Sequence, residues 1–192
     1  MYDARHLANF SLDFAGRTGF ALSHMAVQKL VFFAHGWSLA HRGKPMVKNA
    51  FEAWKYGPVV RVLWDAFKQF GNKPVTTRAL FVDPMTGLAS YQAYAFGNED
   101  VAFLETVLSY YVGFSAFTLS DLTHEAGMPW RTVREEMTRS ANIGATIPDS
   151  EIRKSFESLS LAWLASRSTI VAPATLTQGN YLPMVLGPVP KT

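Results

Sequence analysis

The chain of 192 residues contains no cysteine. This absence excludes disulfide bonds, thiolate catalysis, and zinc or iron–sulfur sites built from cysteine ligands. It is compatible with a reducing compartment, and we predict a cytoplasmic location. The N-terminal residues Met1–His6 lack a basic segment followed by an apolar run, so we expect no secretory signal.

Charge is also scarce, since only 17% of the residues are Asp, Glu, Lys or Arg. The 18 basic residues exceed the 15 acidic ones by three, an excess too small and too scattered for a nucleic-acid-binding surface. The uncharged run at 106–120 is shorter than the roughly 18 apolar residues that a membrane-spanning helix needs. We therefore expect neither a nucleic-acid partner nor a membrane partner.

Motifs of the common enzyme classes are missing as well. The chain has no G-x-S-x-G nucleophile elbow and neither of the phosphate-binding patterns G-x-x-x-x-G-K-[ST] and G-x-G-x-x-G. We predict a protein that is not an enzyme, with no catalytic residues and no cofactor. One alternative is that His124 acts as a general base beside Asp121 and Glu125 on a short helix.

Histidines would have to supply any metal site, because cysteine is absent. His24 and His35 fall on one face of a predicted helix, and His124 would be the third ligand. The chain lacks the H-E-x-x-H pattern and has no acidic ligand at metal spacing. We therefore predict no bound metal.

The hydrophobic fraction of 48% and the spacing of the apolar residues predict a mainly α-helical fold with a small β element (α+β), in one compact multi-helix domain. The central helix is predicted at 23–40, ended by Gly43, and a second helix has Pro58 in its first turn and ends at Gly71. Further helices are predicted around 101–111, 119–127, 130–139 and 152–163. Extended segments are expected at 46–56 and, as a hairpin around the turn at 83–87, at 75–96.

The start of the helix near residue 119 has its own sequence signals. Thr118 has the position of an N-cap, with Asp121 three residues later, so the helix is predicted to begin at Leu119. Phe117 and Leu122 stand at the positions of a hydrophobic staple, which would fix the entry of the chain into this helix.

Composition divides the chain into two segments. Residues 1–167 are predicted to form the domain. Beyond this point the chain is rich in Thr, Pro and Gly and has no carboxylate, so residues 168–192 are predicted to form a flexible C-terminal tail.

Three motifs follow one another along the chain: Lys29–Trp37 (KLVFFAHGW), Glu52–Val60 (EAWKYGPVV), and Leu119–Glu125 (LSDLTHE) with Trp130. This arrangement resembles the Panacea (SocA-like) antitoxin domain family, which is also represented among phage-associated proteins. The resemblance covers roughly residues 3–164. It implies an antitoxin that neutralises a cognate toxin, encoded nearby, by direct protein–protein binding. An alternative within the same resemblance is an adaptor that delivers a toxin to a protease, with the tail as the delivery element.

Amphipathic aromatic residues and a cation next to a helix start are typical of binding hot spots. The candidate partner-binding residues are Trp54, Lys55, Tyr56, Gly57, Pro58, Val59, Trp64, His124 and Trp130. A tight structural junction is the alternative interpretation of the segment at 54–58. For His124 the resemblance implies a structural role, capping or packing beside Trp130.

Residues 119–139 also have the outline of a helix-turn-helix, which would suit a DNA-binding antitoxin that represses its own operon. The second helix carries Arg131, Arg134 and Arg139, but Glu135 and Glu136 lie among them and would repel phosphates. We favour a solvent-exposed helix with ion pairs such as Arg131 with Glu135.

Overall fold

The computed structural model describes residues 1–139 and 145–167. The helices in these ranges are α1 (Ala4–Arg17), α2 (His24–Arg42), α3 (Arg61–Phe67), α4 (Asn98–Tyr111), α5 (Ala116–His124), α6 (Pro129–Arg139) and α7 (Asp149–Arg167), with a 3-10 helix at Lys68–Phe70. The strands are β1 (Phe51–Trp54), β2 (Gly57–Val59), β3 (Phe81–Val82), β4 (Ala89–Ser90) and β5 (Thr146–Ile147). The predicted mainly α-helical fold with a small β element is confirmed. The predicted tail at 168–192 lies outside the described residues.

Helix α2 is the centre of the fold and packs against α1, α4, α5 and α7. Its limits agree closely with the prediction, because Ser23 caps its first turn by accepting a hydrogen bond from the backbone N–H of Ala26. Gly43 ends it in the left-handed conformation, with φ 64°. At Gly36 an added Cβ would collide with the ring of Phe156, so the glycine allows α7 to approach closely. The core is therefore organised around one buried helix.

Strands β1, β2 and β5 form an antiparallel sheet in the order β2-β1-β5. The prediction that Pro58 occupies the first turn of a helix is wrong, because Pro58 lies in β2 opposite Ala53, and α3 begins at Arg61. Strand β2 is at the edge of the sheet, where a residue without a backbone N–H can be placed without breaking a hydrogen bond between strands. The predicted extended segment at 46–56 contains β1 in its second half.

Strands β3 and β4 pair as the predicted hairpin within 75–96, though each strand has only two residues. The turn between them is stabilised by Asp83, whose Oδ1 accepts hydrogen bonds from the backbone N–H groups of Met85 and Thr86. This hairpin exposes several large apolar side chains: Leu80, Val82, Met85, Leu88 and Tyr91.

Helix α5 begins earlier than predicted, at Ala116, and its N-cap is Ser115 instead of Thr118. The Ser115 Oγ accepts a hydrogen bond of 3.0 Å from the backbone N–H of Thr118. The predicted staple between Phe117 and Leu122 is also wrong, because the Phe117 side chain is 72% exposed. With Ser115 as the cap, Phe117 lies inside the first turn of α5 and no longer precedes the cap, as a staple residue must.

No single helix among the described residues has the length and apolar composition needed to cross a membrane. Helices α4 and α5 meet these criteria only when taken together, and they are bent by 100° at the break between them.

Candidate partner-binding site

The β1–β2 hairpin presents the central motif of the sequence. Trp54 and Gly57 are cross-strand partners at its end, so Lys55 and Tyr56 form the turn and are exposed. The Tyr56 side chain is 55% exposed, and the Lys55 Nζ lies 5.2 Å from the centre of its ring. The hairpin therefore places a cation and an aromatic ring at the surface on a short, hydrogen-bonded turn.

Gly57 is required by the packing behind this turn. Its φ of 97° disfavours any L side chain, and an added Cβ would collide with the Thr123 Oγ1 and lie 2.8 Å from the Lys29 Cε. Helix α5 also holds the turn from behind, because the Ser120 Oγ donates a hydrogen bond of 3.1 Å to the carbonyl oxygen of Tyr56. The turn therefore packs between α2 and α5, with Gly57 in contact with both helices.

Lys29 is buried beneath the hairpin, with 1% of its surface exposed, and its Nζ donates a 3.0 Å hydrogen bond to the carbonyl oxygen of Pro58. Burial lowers the pKa of the Lys29 ammonium to about 7, because the charged form loses its hydration. Lys29 is absent from the residues that the sequence predicts for the site. The signal for it is a lysine inside the apolar run of α2, where a charge is unusual.

A groove of about 270 Å³ lies between the start of α2, the β1–β2 hairpin and α3. Its lining residues are His24, Met25, Gln28, Lys29, Trp54, Lys55, Tyr56, Val59 and Trp64. The ring centre of Trp64 is 5.0 Å from that of Trp54 and 4.9 Å from that of His24, so three rings make a continuous wall. His24 is buried, and its Nε2 has no hydrogen-bond partner within the described part of the chain.

Trp54 is held in place from three sides. Its Nε1 donates a 2.7 Å hydrogen bond to Glu52, the guanidinium carbon of Arg61 lies 4.8 Å from the centre of one of its rings, and Arg61 pairs with Glu52 at 2.8 Å. The Trp54 carbonyl oxygen accepts a 2.7 Å hydrogen bond from the Trp130 Nε1. The groove wall is therefore a fixed surface, since both the ring and the backbone of Trp54 are bonded to other elements.

His124 and Trp130 lie outside the groove lining, on α5 and α6 against the hairpin. Their rings stack with centres 3.8 Å apart. Burial and, second, the nearby charge of Lys29 lower the pKa of the His124 imidazole, and its Nε2 is buried without a partner among the described residues. Of the nine predicted residues, five line the groove: Trp54, Lys55, Tyr56, Val59 and Trp64. Gly57 and Pro58 position the hairpin, and His124 and Trp130 support it. The roles of all nine residues in partner binding stay predictions.

The histidines considered as metal ligands occupy different environments. The His35 Nδ1 accepts a hydrogen bond of 3.2 Å from the Val47 backbone N–H, and its Nε2 lies 3.1 Å from Asp149. Both ring nitrogens of His35 are therefore engaged. In the described ranges, no group of three or more His, Asp or Glu side chains is arranged to hold a metal ion.

Helices α5 and α6 have the order of a helix-turn-helix, joined by a turn in which Gly127 has φ 86°. The predicted ion pair on α6 is confirmed, since the Arg131 Nε lies 3.0 Å from Glu135. The Arg134 guanidinium lies 5.8 Å from the centre of a Trp130 ring. Arg131 and Arg134 thus have partners within the protein. The side chain of the third arginine, Arg139, is not among those that the structure describes. This arrangement does not favour phosphate binding.

Comparisons with known proteins agree with one another. A family model described as "Antitoxin SocA-like, Panacea domain" matches residues 27–131. The "Antitoxin SocA" of Caulobacter vibrioides (strain NA1000 / CB15N) is 34% identical over 154 residues, which cover 80% of this chain and 82% of that protein. No solved structure gives a significant match.

Proposed function

Because the chain belongs to the SocA-like antitoxin family with its Panacea domain, we propose that it neutralises a cognate toxin by direct binding, with the groove beside the β1–β2 hairpin as the contact surface. The toxin would be encoded nearby and bound in the cytoplasm. The proposed activity is occlusion of the toxin and requires no chemical step.

The observation that carries this proposal is the groove itself, an apolar concavity with an exposed aromatic residue, Tyr56, at its rim. Binding energy at protein interfaces is concentrated in a few Trp, Tyr and Arg residues that fit into such pockets. Tyr56 loses exposed apolar surface when a partner covers it, and Trp54 and Trp64 provide two further rings beside it.

The rigidity of the hairpin is the second support. The hairpin is bonded to α5 through Ser120, to α2 through Lys29, and to α6 through Trp130. A surface that is already ordered loses little conformational entropy when it binds, so more of the contact energy appears as affinity.

Growth rescue and co-purification test the proposal together. Cells that express the neighbouring open reading frame are grown with and without this protein, and the two products are purified as a pair. We expect rescue together with a stable complex. Rescue without a complex would contradict neutralisation by direct binding and would favour delivery to a protease or repression of the operon.

A matched pair of substitutions tests the location of the contact. Tyr56→Ala in the groove rim is expected to weaken toxin binding by about 1 to 2 kcal/mol. Tyr91→Ala is the control, because Tyr91 is a similarly exposed tyrosine, 49% against 55%, on the β3–β4 hairpin. Equal effects of the two substitutions, in variants that fold normally, would remove the groove from the contact.

A further inference from the structure

The groove has an exposed cation, Lys55, at its rim and lacks any acidic lining residue. Its basic lining residues are His24, Lys29 and Lys55. The nearest carboxylate on the same strand as Trp54 belongs to Glu52, and it is already engaged by Arg61 and by the Trp54 indole. A partner group that completes this surface would therefore carry negative charge.

Lys55 is the basic residue that a partner can reach. It is exposed at the hairpin turn, and it forms no ion pair with any carboxylate of the described residues. Lys29, in contrast, is buried below the groove and bonded to Pro58, so it offers no contact to a partner. An anion is thus expected at the rim, beside Lys55.

The size and lining of the groove limit what enters it. A volume of about 270 Å³ lies below the range of about 300–1,000 Å³ that is typical of small-molecule sites. The walls are formed by the rings of Trp54 and Trp64 and by the aliphatic side chains of Met25 and Val59. These dimensions suit one aromatic or long aliphatic side chain inserted from a protein partner.

We propose that the groove binds one apolar side chain of the toxin and that a neighbouring Asp or Glu side chain of the toxin contacts Lys55. This inference rests on the proposed function, and it adds the chemistry of the toxin segment. The apolar side chain supplies most of the affinity, because it is removed from water, and the ion pair at the rim orients the segment.

A pair of small probes tests this chemistry on the isolated protein, without a toxin. The probes are 3-phenylpropionate and its uncharged analogue 3-phenylpropanamide, and the readout is the NMR signals of the Trp54 and Trp64 indole N–H groups. We expect both probes to shift these signals and the carboxylate to bind about threefold more tightly, as suits an exposed ion pair. Absence of any shift, or equal affinity of the two probes, overturns the proposal.

Three variants assign the probe contacts. Lys55→Gln is expected to make the two probes bind equally, whereas Lys73→Gln, at an exposed lysine outside the groove lining, should leave the threefold difference unchanged. Met25→Trp is expected to fill the groove and abolish the binding of both probes. A preference for the carboxylate that persists in Lys55→Gln would contradict the assigned contact.

The source of the carboxylate is tested in the toxin complex. Lys55→Glu is expected to weaken the complex at least tenfold, and replacement of one toxin Asp or Glu by Lys should restore it. The assignment to a side chain is overturned if no toxin substitution restores the affinity of the Lys55→Glu complex, or if only amidation of the toxin's C-terminus restores it. Because the probe titration needs no toxin, its failure is distinguishable from failure of the proposed function, which shows as a missing complex of the wild-type proteins.

Discussion

The Nζ of Lys29 lies 3.0 Å from the carbonyl oxygen of Pro58, so the central helix is hydrogen-bonded directly to the edge strand that borders the groove. This bond joins a buried amine to a strand residue that has no backbone N–H of its own. The stability of the hairpin is therefore linked to the environment of one lysine.

The first prediction concerns the pH dependence of stability. The folded protein holds the pKa of Lys29 at about 7, below the ordinary value of 10.5, so the unfolded chain binds more protons between these limits. The free energy of unfolding should therefore rise with pH, by about 2 kcal/mol between pH 7 and pH 9. Urea unfolding at a series of pH values measures this slope.

Three other groups with shifted pKa values act mainly outside that interval. His24 and His124 have lowered pKa values through burial and the charge of Lys29, so they destabilise the fold only in acid. Burial raises the pKa of Tyr111, which opposes the trend above about pH 10, where the unfolded phenol ionises first. Lys29→Met is the control, and a slope that survives in this variant would contradict the assignment.

The second prediction is that Gly57→Ala destabilises the protein by more than about 2 kcal/mol. The positive φ strains the backbone of an alanine, and the new methyl group also collides with Thr123 and Lys29. Gly127→Ala is the matched control. Gly127 has a similar φ of 86° but no atom within 4 Å of the added Cβ, so it isolates the backbone strain, about 1 kcal/mol. Thermal unfolding of both variants gives the comparison, and equal losses would show that the packing behind the hairpin tolerates a methyl group.

The third prediction addresses the bond between α6 and the hairpin. Trp130→Phe keeps an aromatic ring against His124 but removes the donor that contacts the Trp54 carbonyl oxygen. We expect a loss of about 1 kcal/mol in unfolding free energy and faster hydrogen exchange in β1 and β2. Unchanged exchange in these strands would mean that this bond does not hold the hairpin.

The fourth prediction follows from the position of the cap on α5. Ser115→Ala should cost about 1 kcal/mol, because the backbone N–H of Thr118 loses its acceptor. Thr118→Ala should cost less, since it removes only the hydroxyl that contacts Ser115. Chemical denaturation measures both values, and the reverse order would support Thr118 as the cap.

The sequence predicts those elements whose local signals agree with their surroundings. Helix α2 is identified by its apolar spacing together with Ser23 before it and Gly43 after it. The prediction for Pro58 fails because proline, which has no backbone N–H to donate, suits an edge strand as well as a first helical turn. Strand β5 has two residues and shows no periodicity, so only its pairing with β1 defines it.

The candidate site is predictable in part for a similar reason. Trp54, Tyr56 and Trp64 are suggested by residue type and proximity in sequence, and they line one groove. Lys29 becomes a feature of the site only through burial by α5 and the hairpin, which is a tertiary property. The placement of Trp130 behind Trp54 likewise depends on how α6 packs, and spacing along the chain does not contain this information.

Strand β5 also makes the β1–β2 hairpin depend on a distant part of the chain. The β1–β2 hairpin is local, but its inner strand is completed by the pairing of Phe51 with Ile147 and by the bond from the Ala53 N–H to the Ala145 carbonyl oxygen. Without β5, strand β1 has one open edge. The wall of the groove therefore depends on a segment more than 90 residues further along the chain, and a truncation that removes β5 is expected to loosen the hairpin.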